Sequence, residues 1–228
     1  MQKEVLIIIP AYNEEKNISK VLDRLEQPEI AEFADILVMN DASSDNTNWI
    51  VKARHHAVVT HVFNLGYGSA LQLGYKYAIR CNYRYVIQMD ADGQHDGGNL
   101  INLYHALKTP DENGVYPDIV LGSRYLNDSP YFETSALKRF AFFLFRHIIK
   151  WSTGRTIMDP TTGLQGLSRR AALCYSKFGN FDEKYPDANM ITNMLLSDFN
   201  IVEIPAVMHL REHQSAICFI CFLVFLPF

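Results

Sequence analysis

The chain has 228 residues, of which 48% are hydrophobic and 20% are charged. This length is enough for one large α/β domain with a buried core, or for two small domains at most. The formal net charge of −4 excludes a basic field over the whole surface, so we expect no nucleic-acid partner. Any phosphate that the protein binds must therefore be met by local groups.

Short apolar runs alternate with helical patterns, which is typical of βαβ units and a mainly parallel sheet. In chain order the predicted strands are residues 5–9, 36–39, 58–63, 85–89, 118–122 and 201–207. Apolar residues at i, i+3, i+4 and i+7 predict two helices, one through Ile18, Val21, Leu22 and Leu25 and one through Leu100, Leu103, Tyr104 and Leu107. Ser43 or Ser44 is predicted to cap a third. We expect a single α/β domain over residues 1–212, with helices flanking the sheet.

Polar motifs follow four of the predicted strands. They are PAYNE at 10–14, NDASSD at 40–45, NLGYG at 64–68 and DADGQ at 90–94. Ligands of open α/β sheets bind beyond the carboxyl ends of the strands. Each motif alone could be a solvated loop, but four of them at one edge of a sheet predict a binding cleft.

Asp90 and Asp92 follow the fourth strand two residues apart. Both carboxylates can reach one Mg²⁺ or Mn²⁺ ion, whose remaining ligands come from water and substrate phosphates. Gln94 could add a carbonyl oxygen. A polar turn that caps the next helix is the simpler alternative, and His95 and Asp96 are interpreted as residues of that helix start.

Neighbouring residues test other interpretations of this motif. An EF-hand loop beginning at Asp90 needs Gly and Glu where His95 and Ile101 stand, which excludes it. Dinucleotide binding needs a glycine where Leu71 stands. A phosphatase of the haloacid dehalogenase type would use the first Asp as nucleophile. Gln94 replaces the usual Thr of that class, so the phosphatase stays a distant alternative.

Six motifs occur in an order similar to that of family 2 glycosyltransferases with the GT-A fold. They are IIIPAYNEEKNI, VMNDASSDNT, NLGYGSALQLGYKYA, DADGQHD, VLGSRY and DPTTGLQGLSRRA, within residues 4–212. The chain resembles most the branch of dolichyl-phosphate mannose synthase and other polyprenyl-phosphate glycosyltransferases. The resemblance implies metal-dependent, inverting transfer of a sugar from a UDP- or GDP-sugar to a polyprenyl phosphate at the cytoplasmic face of a membrane. The N-terminus shows no signal peptide, so we expect a chain that begins in the cytoplasm.

The resemblance also implies roles for individual residues. The implied donor-binding residues are Pro10, Ala11, Tyr12, Glu14, Asp41, Gly66, Gly68, Asp90, Ala91, Arg124 and Arg211. The implied metal ligands are Asp90, Asp92 and Gln94. Asp41 would accept a hydrogen bond from the base, and both arginines would meet the donor phosphates. A surface ion pair is the alternative for each arginine.

The implied catalytic residues are Asp92, Asp159 and Asp187. Asp159 opens DPTTGLQG, which resembles a family motif D-x-[ST]-S-G-F with Thr162 and Leu164 as departures. Asp187 is a hypothetical general base, although Asn189 occupies the place of a frequent Glu. A phosphate acceptor is already anionic at neutral pH and needs no strong base.

Residues 137–151, LKRFAFFLFRHIIKW, form an amphipathic pattern on a helical wheel. Arg139, Arg146 and Lys150 share a narrow arc, and the opposite side carries Leu137, Ala141, Leu144, Phe145, Ile148 and Trp151. The apolar side either packs on the sheet while the basic arc is solvated, or lies on anionic lipid as an interfacial helix. The second interpretation predicts peripheral membrane contact.

The apolar tail at 213–228 bears on the same question. Its last 13 residues, AICFICFLVFLPF, carry no charge, but as a helix they are too short to cross a bilayer. A strand, an interfacial anchor and the cut end of a longer segment all stay open. Two further functions also stay open: transfer to a soluble or cell-envelope glycan, and a non-catalytic module that binds a nucleotide-sugar.

Overall fold

The structure, a computed structural model, describes residues 3–126, 136–182 and 188–209, and only the backbone of residues 136–142. The strands in these ranges are β1 Val5–Ala11, β2 Ala34–Asn40, β3 Ala57–Thr60, β4 Tyr85–Gln88, β5 Ile119–Ser123, β6 Gln165–Ser168 and β7 Ile201–Pro205. The helices are α1 Ile18–Leu25, α2 Pro28–Ala31, α3 Thr47–Ala53, α4 Tyr67–Arg80, α5 Gly97–Lys108, α6 Ala136–Thr153, α7 Arg169–Ser176 and α8 Ala188–Leu196.

One mixed sheet holds the strands in the order β3-β2-β1-β4-β6-β5-β7. The first four are parallel neighbours, while β6 runs antiparallel between β4 and β5. β7 lies parallel to β5 at the far edge. The prediction of one α/β domain with a mainly parallel sheet flanked by helices is confirmed. The carboxyl ends of β1, β2 and β4 therefore meet at one edge.

Apolar side chains fill both faces of the sheet. β1 is buried along its whole length, with Leu6 and Ile8 on one face and Ile7 and Ile9 on the other. Helices α4 and α7 cover the first face, and α1 and α5 cover the second. Burial on both faces explains why β1 is a continuous apolar run rather than an alternating one.

Strand β6 is missing from the predicted strands. Its four residues, QGLS, show no apolar alternation. A Cβ on Gly166 would meet Leu107 at 3.0 Å, so the strand passes close under α5. Pairing with β4 and β5 forms this strand, because tertiary packing outweighs local propensity in sheets.

Five of the six predicted strands lie within two residues of the observed ones, and the exception is β3. This strand ends at Thr60, so Val62 and Phe63 of the predicted strand 58–63 lie outside the sheet. Their side chains are 84% and 74% exposed. Apolar residues in this loop therefore mimic the continuation of a strand.

The predicted cap of the third helix is wrong. Helix α3 begins at Thr47, and Asn46 precedes it, so neither Ser43 nor Ser44 is the cap. The Asp45 carboxylate accepts hydrogen bonds from Thr47 N at 2.9 Å and from Thr47 Oγ1 at 2.5 Å. The Asp45 side chain, rather than a serine hydroxyl, therefore binds the backbone at the start of α3.

Helix α6 follows only in part the interpretation in which its apolar side packs on the sheet. Leu144, Ile148 and Trp151 are exposed, whereas Ile149 is buried and Arg146 donates from Nε to a backbone carbonyl at 2.8 Å. Phe145 packs on the core and Lys150 is exposed, so the interpretation with a packed apolar side and a solvated basic arc holds for these two residues but not for Leu144, Ile148, Trp151 and Arg146. No helix in the described ranges combines the length and the apolar composition that crossing a bilayer requires.

Asp96 caps helix α5, as its interpretation as a helix-start residue predicts. Its Oδ1 accepts from Gly98 N at 2.8 Å, and its Oδ2 lies 3.1 Å from His209 Nε2. The hydrogen bond from His209, and then the one from Gly98, hold the pKa of Asp96 below its ordinary value. Because the folded-state pKa is lowered, ionised Asp96 stabilises the fold above the unfolded-state pKa, and this contribution disappears as the pH falls through the folded-state pKa.

We expect Asp96→Ala to lower the free energy of unfolding by about 1 kcal/mol at pH 7, because it removes a helix cap. The difference from wild type should begin to shrink as the pH falls below about 4, the ordinary pKa of aspartate, and should be lost once the pH lies below the lowered folded-state pKa of Asp96. Urea unfolding at pH 7 and at acidic pH measures both values. Asp96→Asn is the control, since asparagine caps helices as well as aspartate does. A destabilisation that is the same at both pH values would contradict this account.

Candidate active site

The motifs after β1 and β2 are tied together by hydrogen bonds. Asn13 donates from its backbone N to Ser43 Oγ at 3.0 Å, and its side-chain oxygen accepts from Ser44 N at 2.8 Å. Glu15 N donates to Asp45 Oδ2 at 3.0 Å. The two loops therefore form one wall at the carboxyl edge of the sheet.

The PAYNE motif places its residues along this wall. Pro10 and Ala11 are buried at the end of β1, and Tyr12 follows them half-buried. Glu14 is buried, and its backbone N donates to Thr47 Oγ1 at 2.8 Å, which fixes the motif against the start of α3. The half-buried Tyr12 ring therefore keeps part of its surface open to a ligand.

Asp41 holds the loop that leads into α4. Its Oδ1 accepts from Leu65 N at 2.8 Å and lies 2.7 Å from His61 Nδ1, and its Oδ2 accepts from Gly66 N at 2.8 Å. Gly66 has a φ of 95°, a conformation that favours glycine. Gly68 is buried in the first turn of the helix. A carboxylate has about four lone-pair positions, so Asp41 retains capacity for a base N–H.

The DADGQ motif forms a tight turn after β4. Asp92 is 5% exposed, and its Oδ1 accepts from Gln94 N at 3.1 Å. Gly93 within the turn has a φ of 75°, and its carbonyl accepts from Arg24 Nη1 at 2.5 Å. Gln94 pairs with the chain after β7, since its Nε2 donates to the His209 carbonyl at 3.2 Å. The turn is therefore fixed from α1 and from the segment that follows β7.

Asp90 lies at the meeting point of three elements. Its Oδ1 accepts from Tyr67 Oη at 2.9 Å, and Tyr67 begins α4. Its Oδ2 faces Gly163, where a Cβ would lie only 2.5 Å away. Ala91, between the two aspartates, is buried. The structure therefore gathers the four motifs at one edge, as the sequence predicts.

Asp90 and Asp92 fit a cation that is bound together with substrate. No group of three or more His, Cys, Asp or Glu side chains stands ready to hold a metal in the part of the chain that the structure describes. Mg²⁺ is commonly bound by one or two carboxylates, with waters and substrate phosphates as the remaining ligands. Two carboxylates at the end of one strand provide that donor set.

Arg124 binds Asp159 through two parallel hydrogen bonds. Arg124 Nε and Nη2 donate to Asp159 Oδ2 and Oδ1 at 2.7 and 2.8 Å, and Arg124 N also donates to Oδ2 at 3.0 Å. Burial by itself lowers the pKa of Arg124, but the hydrogen bonds and charge of Asp159 outweigh it and raise that pKa above its ordinary value. The guanidinium therefore stays charged beside the cleft.

Asp159 is 0% exposed, and both of its oxygens bind Arg124. This placement favours a role in holding Arg124 over the exchange of protons with an acceptor. The backbone N–H groups of Met158 and Asp159 donate to the Glu203 carboxylate of β7 at 2.7 and 2.9 Å. Burial raises the pKa of Glu203, although these two donors oppose the shift.

Sequence reasoning misses Glu203, since a lone acidic residue in VEIP looks like the solvated side of an edge strand. Asn189 lies at the start of α8 and donates from Nδ2 to Asp182 at 3.0 Å. Asp187, Arg211, the tail at 213–228 and the side chain of Arg139 lie outside the described residues.

Known proteins resemble this chain in sequence and in fold. The family described as "Glycosyl transferase family 2" matches residues 6–175. A UDP-N-acetylglucosamine–dolichyl-phosphate N-acetylglucosaminyltransferase of Methanococcus voltae is 26% identical over 186 residues, which cover 74% of this chain and 71% of that protein. An undecaprenyl-phosphate mannosyltransferase of Micrococcus luteus is 35% identical over 127 residues, which cover 53% of this chain and 48% of that protein. The chain thus spans only about half of the second relative.

The fold has solved counterparts. The glucosyl-3-phosphoglycerate synthase of Mycobacterium tuberculosis, in complex with Mn²⁺, UDP and glucosyl-3-phosphoglycerate, matches with a TM-score of 0.70 at 16% identity, over 93% of this chain and 73% of that chain. At this identity the likeness shows the fold alone. The sequence match and the fold leave no support for the phosphatase alternative. The chain belongs to glycosyl transferase family 2 and has the GT-A fold.

Proposed function

We propose that this protein transfers a sugar from a UDP- or GDP-sugar to a polyprenyl phosphate, with inversion and with Mg²⁺ or Mn²⁺. The observation that carries the proposal is the convergence of the four polar motifs on one sheet edge around Asp90 and Asp92. The fixed turn at Asp92 supports it, because preorganised carboxylates need little rearrangement when charge develops.

The donor is proposed to lie along the wall formed by the first two motifs. Tyr12 would stack on the base, Glu14 would fix the loop beside the ribose, and Asp41 would accept a base N–H. Arg124 would meet the diphosphate through Nη1, since its Nε and Nη2 bind Asp159. Asp159 would then act by orienting that guanidinium.

Asp90, Asp92 and Gln94 are proposed to hold the divalent cation. When bound, such an ion neutralises charge on the diphosphate as the nucleotide leaves. The Gln94 amide donates to the His209 carbonyl, which orients its own oxygen for a ligand role. The buried turn also limits access of water to the Asp92 side of the site.

A polyprenyl phosphate is the acceptor that the observations favour. The two named relatives act, by their names, on dolichyl phosphate and undecaprenyl phosphate. Helix α6 adds a structural reason, because its exposed surface combines Phe143, Leu144, Ile148 and Trp151 with Lys150. Such a surface suits an anionic membrane face. The location at the cytoplasmic face of a membrane follows as part of the same proposal.

The acceptor phosphate is proposed to attack the anomeric carbon from the side opposite the leaving diphosphate. Asp187 is the proposed general base, with a minor effect because a phosphate monoester is already ionised at neutral pH. A nucleotide-sugar-binding module without turnover is the second candidate. Asn189 favours this binding module, because the family often has a carboxylate at this position. The Asn189 amide instead donates to Asp182.

We expect Asp92→Ala to lower sugar transfer at least about 100-fold, because it removes a metal ligand and opens the fixed turn. Transfer from UDP- and GDP-sugars to a short polyprenyl phosphate is measured with Mn²⁺ and with chelator. Asp111→Ala is the matched control, since Asp111 also closes a turn by accepting from the residue two places later, Asn113 N, at 2.9 Å. Full transfer by Asp92→Ala in chelator would refute the metal assignment. Donor binding without transfer to lipid or glycan acceptors would favour the binding module.

We expect Ile148→Ala and Trp151→Ala each to weaken binding to anionic vesicles about tenfold, because a large apolar side chain contributes about 1.5–3 kcal/mol when it leaves water. Co-sedimentation with vesicles of anionic and of neutral lipid measures the effect. Trp49→Ala on α3 is the matched control, because Trp49 is also exposed. Equal binding by all variants would show that α6 does not contact the membrane.

A further inference from the structure

We propose that Tyr67 and Gly163 are positioning residues that set the Asp90 carboxylate for a divalent cation. This inference rests on the proposed function, since it requires a metal at Asp90. Neither residue is a metal ligand or a catalytic group here. Each acts on one side of the Asp90 carboxylate from a different element of the fold.

Tyr67 fixes one oxygen of the carboxylate. Its hydroxyl donates to Asp90 Oδ1 at 2.9 Å. The ring is half-buried and packs against the core face covered by α4. A hydroxyl on a packed ring has few alternative positions, so it can select one rotation of the carboxylate. The third polar motif is thereby coupled to the fourth.

Gly163 makes room for the other oxygen. A Cβ at this position would lie 2.5 Å from Asp90 Oδ2 and 3.0 Å from its Cγ and Oδ1. The carboxylate therefore occupies the space that a side chain at position 163 would need. Any side chain at 163 would have to displace it, although the φ of Gly163 is not in the left-handed region. Space, rather than backbone conformation, is the reason for glycine.

The backbone at Gly163 is itself held in place. Its carbonyl accepts from Gln88 Nε2 at 3.2 Å. Gln88 lies at the end of β4, and its Oε1 accepts a hydrogen bond from Tyr75 Oη of α4. Asp90 is thus enclosed between α4 and the DPTTGLQG segment, both anchored to the strand that carries it. The glycine cannot retreat without breaking these bonds.

This arrangement matters because metal ligands must be placed accurately. Ligand groups in functional sites need to lie within about 0.5 Å of the productive geometry. An alanine methyl at 163 would push the Asp90 carboxylate by roughly 0.5–1 Å, and a 1 Å misplacement can cost about 100-fold in rate. Removal of the Tyr67 hydroxyl would remove the hydrogen bond that fixes Asp90 Oδ1.

The test is Mn²⁺ binding to the full chain in the presence of UDP or GDP, whichever nucleotide the wild-type protein binds, with free Mn²⁺ measured by electron paramagnetic resonance. We expect Tyr67→Phe and Gly163→Ala each to weaken Mn²⁺ binding about 10–100-fold, as is typical for partners of metal ligands. Binding of the same nucleotide without metal should stay at the wild-type value in both variants. Thermal unfolding of each variant reports whether the fold is intact.

Two matched variants separate positioning from general damage. Tyr104→Phe removes a hydroxyl that donates to the Glu4 carboxylate at 2.8 Å, remote from the cleft. Gly166→Ala adds a methyl that meets the apolar Leu107 at 3.0 Å. We expect both to keep wild-type Mn²⁺ binding, even if Gly166→Ala lowers the unfolding temperature.

Failure of the positioning roles and failure of the proposed metal site give different results. Wild-type protein that binds no Mn²⁺ with UDP or with GDP would overturn the metal site and the inference with it. If wild type binds Mn²⁺ and both Tyr67→Phe and Gly163→Ala bind it equally tightly, the inference is wrong and the metal site stands. If Gly163→Ala does not fold, Tyr67→Phe decides, because loss of one hydroxyl leaves the ring packing in place.

Discussion

Hydrogen bonds from loop N–H groups to buried and half-buried carboxylates hold the carboxyl edge of this sheet together. A buried carboxylate is costly unless it is hydrogen-bonded or paired. Buried Asp41 meets this requirement with Leu65 and Gly66, and half-buried Glu203 binds Met158 and Asp159 in the same way. Each carboxylate comes from one loop or strand and binds the backbone of another. The loops of the cleft are therefore positioned relative to one another before any ligand arrives.

This constraint connects the fold to the proposed chemistry. Parallel strands bring their carboxyl ends to one edge, but parallel pairing alone does not determine how the loops meet. The Asp45 and Asn13 contacts join the first two loops, and the Tyr67 hydrogen bond joins the third to Asp90. Arg124 and Asp159 add the far side of the cleft. A donor diphosphate at this edge would find carboxylates and a guanidinium already oriented, which is how preorganised sites gain their effect.

Much of the fold follows from patterns in the chain. Strand β1, which is buried on both faces, is a continuous apolar run, and the four polar motifs follow the strands β1 to β4. Strand β6 could not be found this way, because QGLS forms a strand only through its two partners. The exposed Val62 and Phe63 likewise extend β3 in the sequence but not in the structure. Short strands depend on tertiary contacts, which local patterns do not contain.

The sequence motifs point to candidate site residues, but they do not predict which of these side chains bind one another. The motifs identify Arg124 and Asp159 separately, but only the structure shows that they bind each other and that Glu203 supports the segment between them. Side-chain pairing depends on distances between elements far apart in sequence. The same limit applies to α6, where the wheel identifies the apolar side but not whether it packs inward. Ile149 and Phe145 pack on the core while Leu144, Ile148 and Trp151 are exposed, so the helix both packs inward and presents an apolar surface.

The central claim is that Asp90 and Asp92 hold a divalent cation together with the donor diphosphate. Crystals grown with UDP and Mn²⁺, with diffraction data collected at the manganese absorption edge, test it most directly. The account predicts one anomalous peak at about 2–2.3 Å from an oxygen of each carboxylate, in contact with the diphosphate. Bound UDP whose diphosphate lies elsewhere, or a peak that neither aspartate contacts, would contradict it.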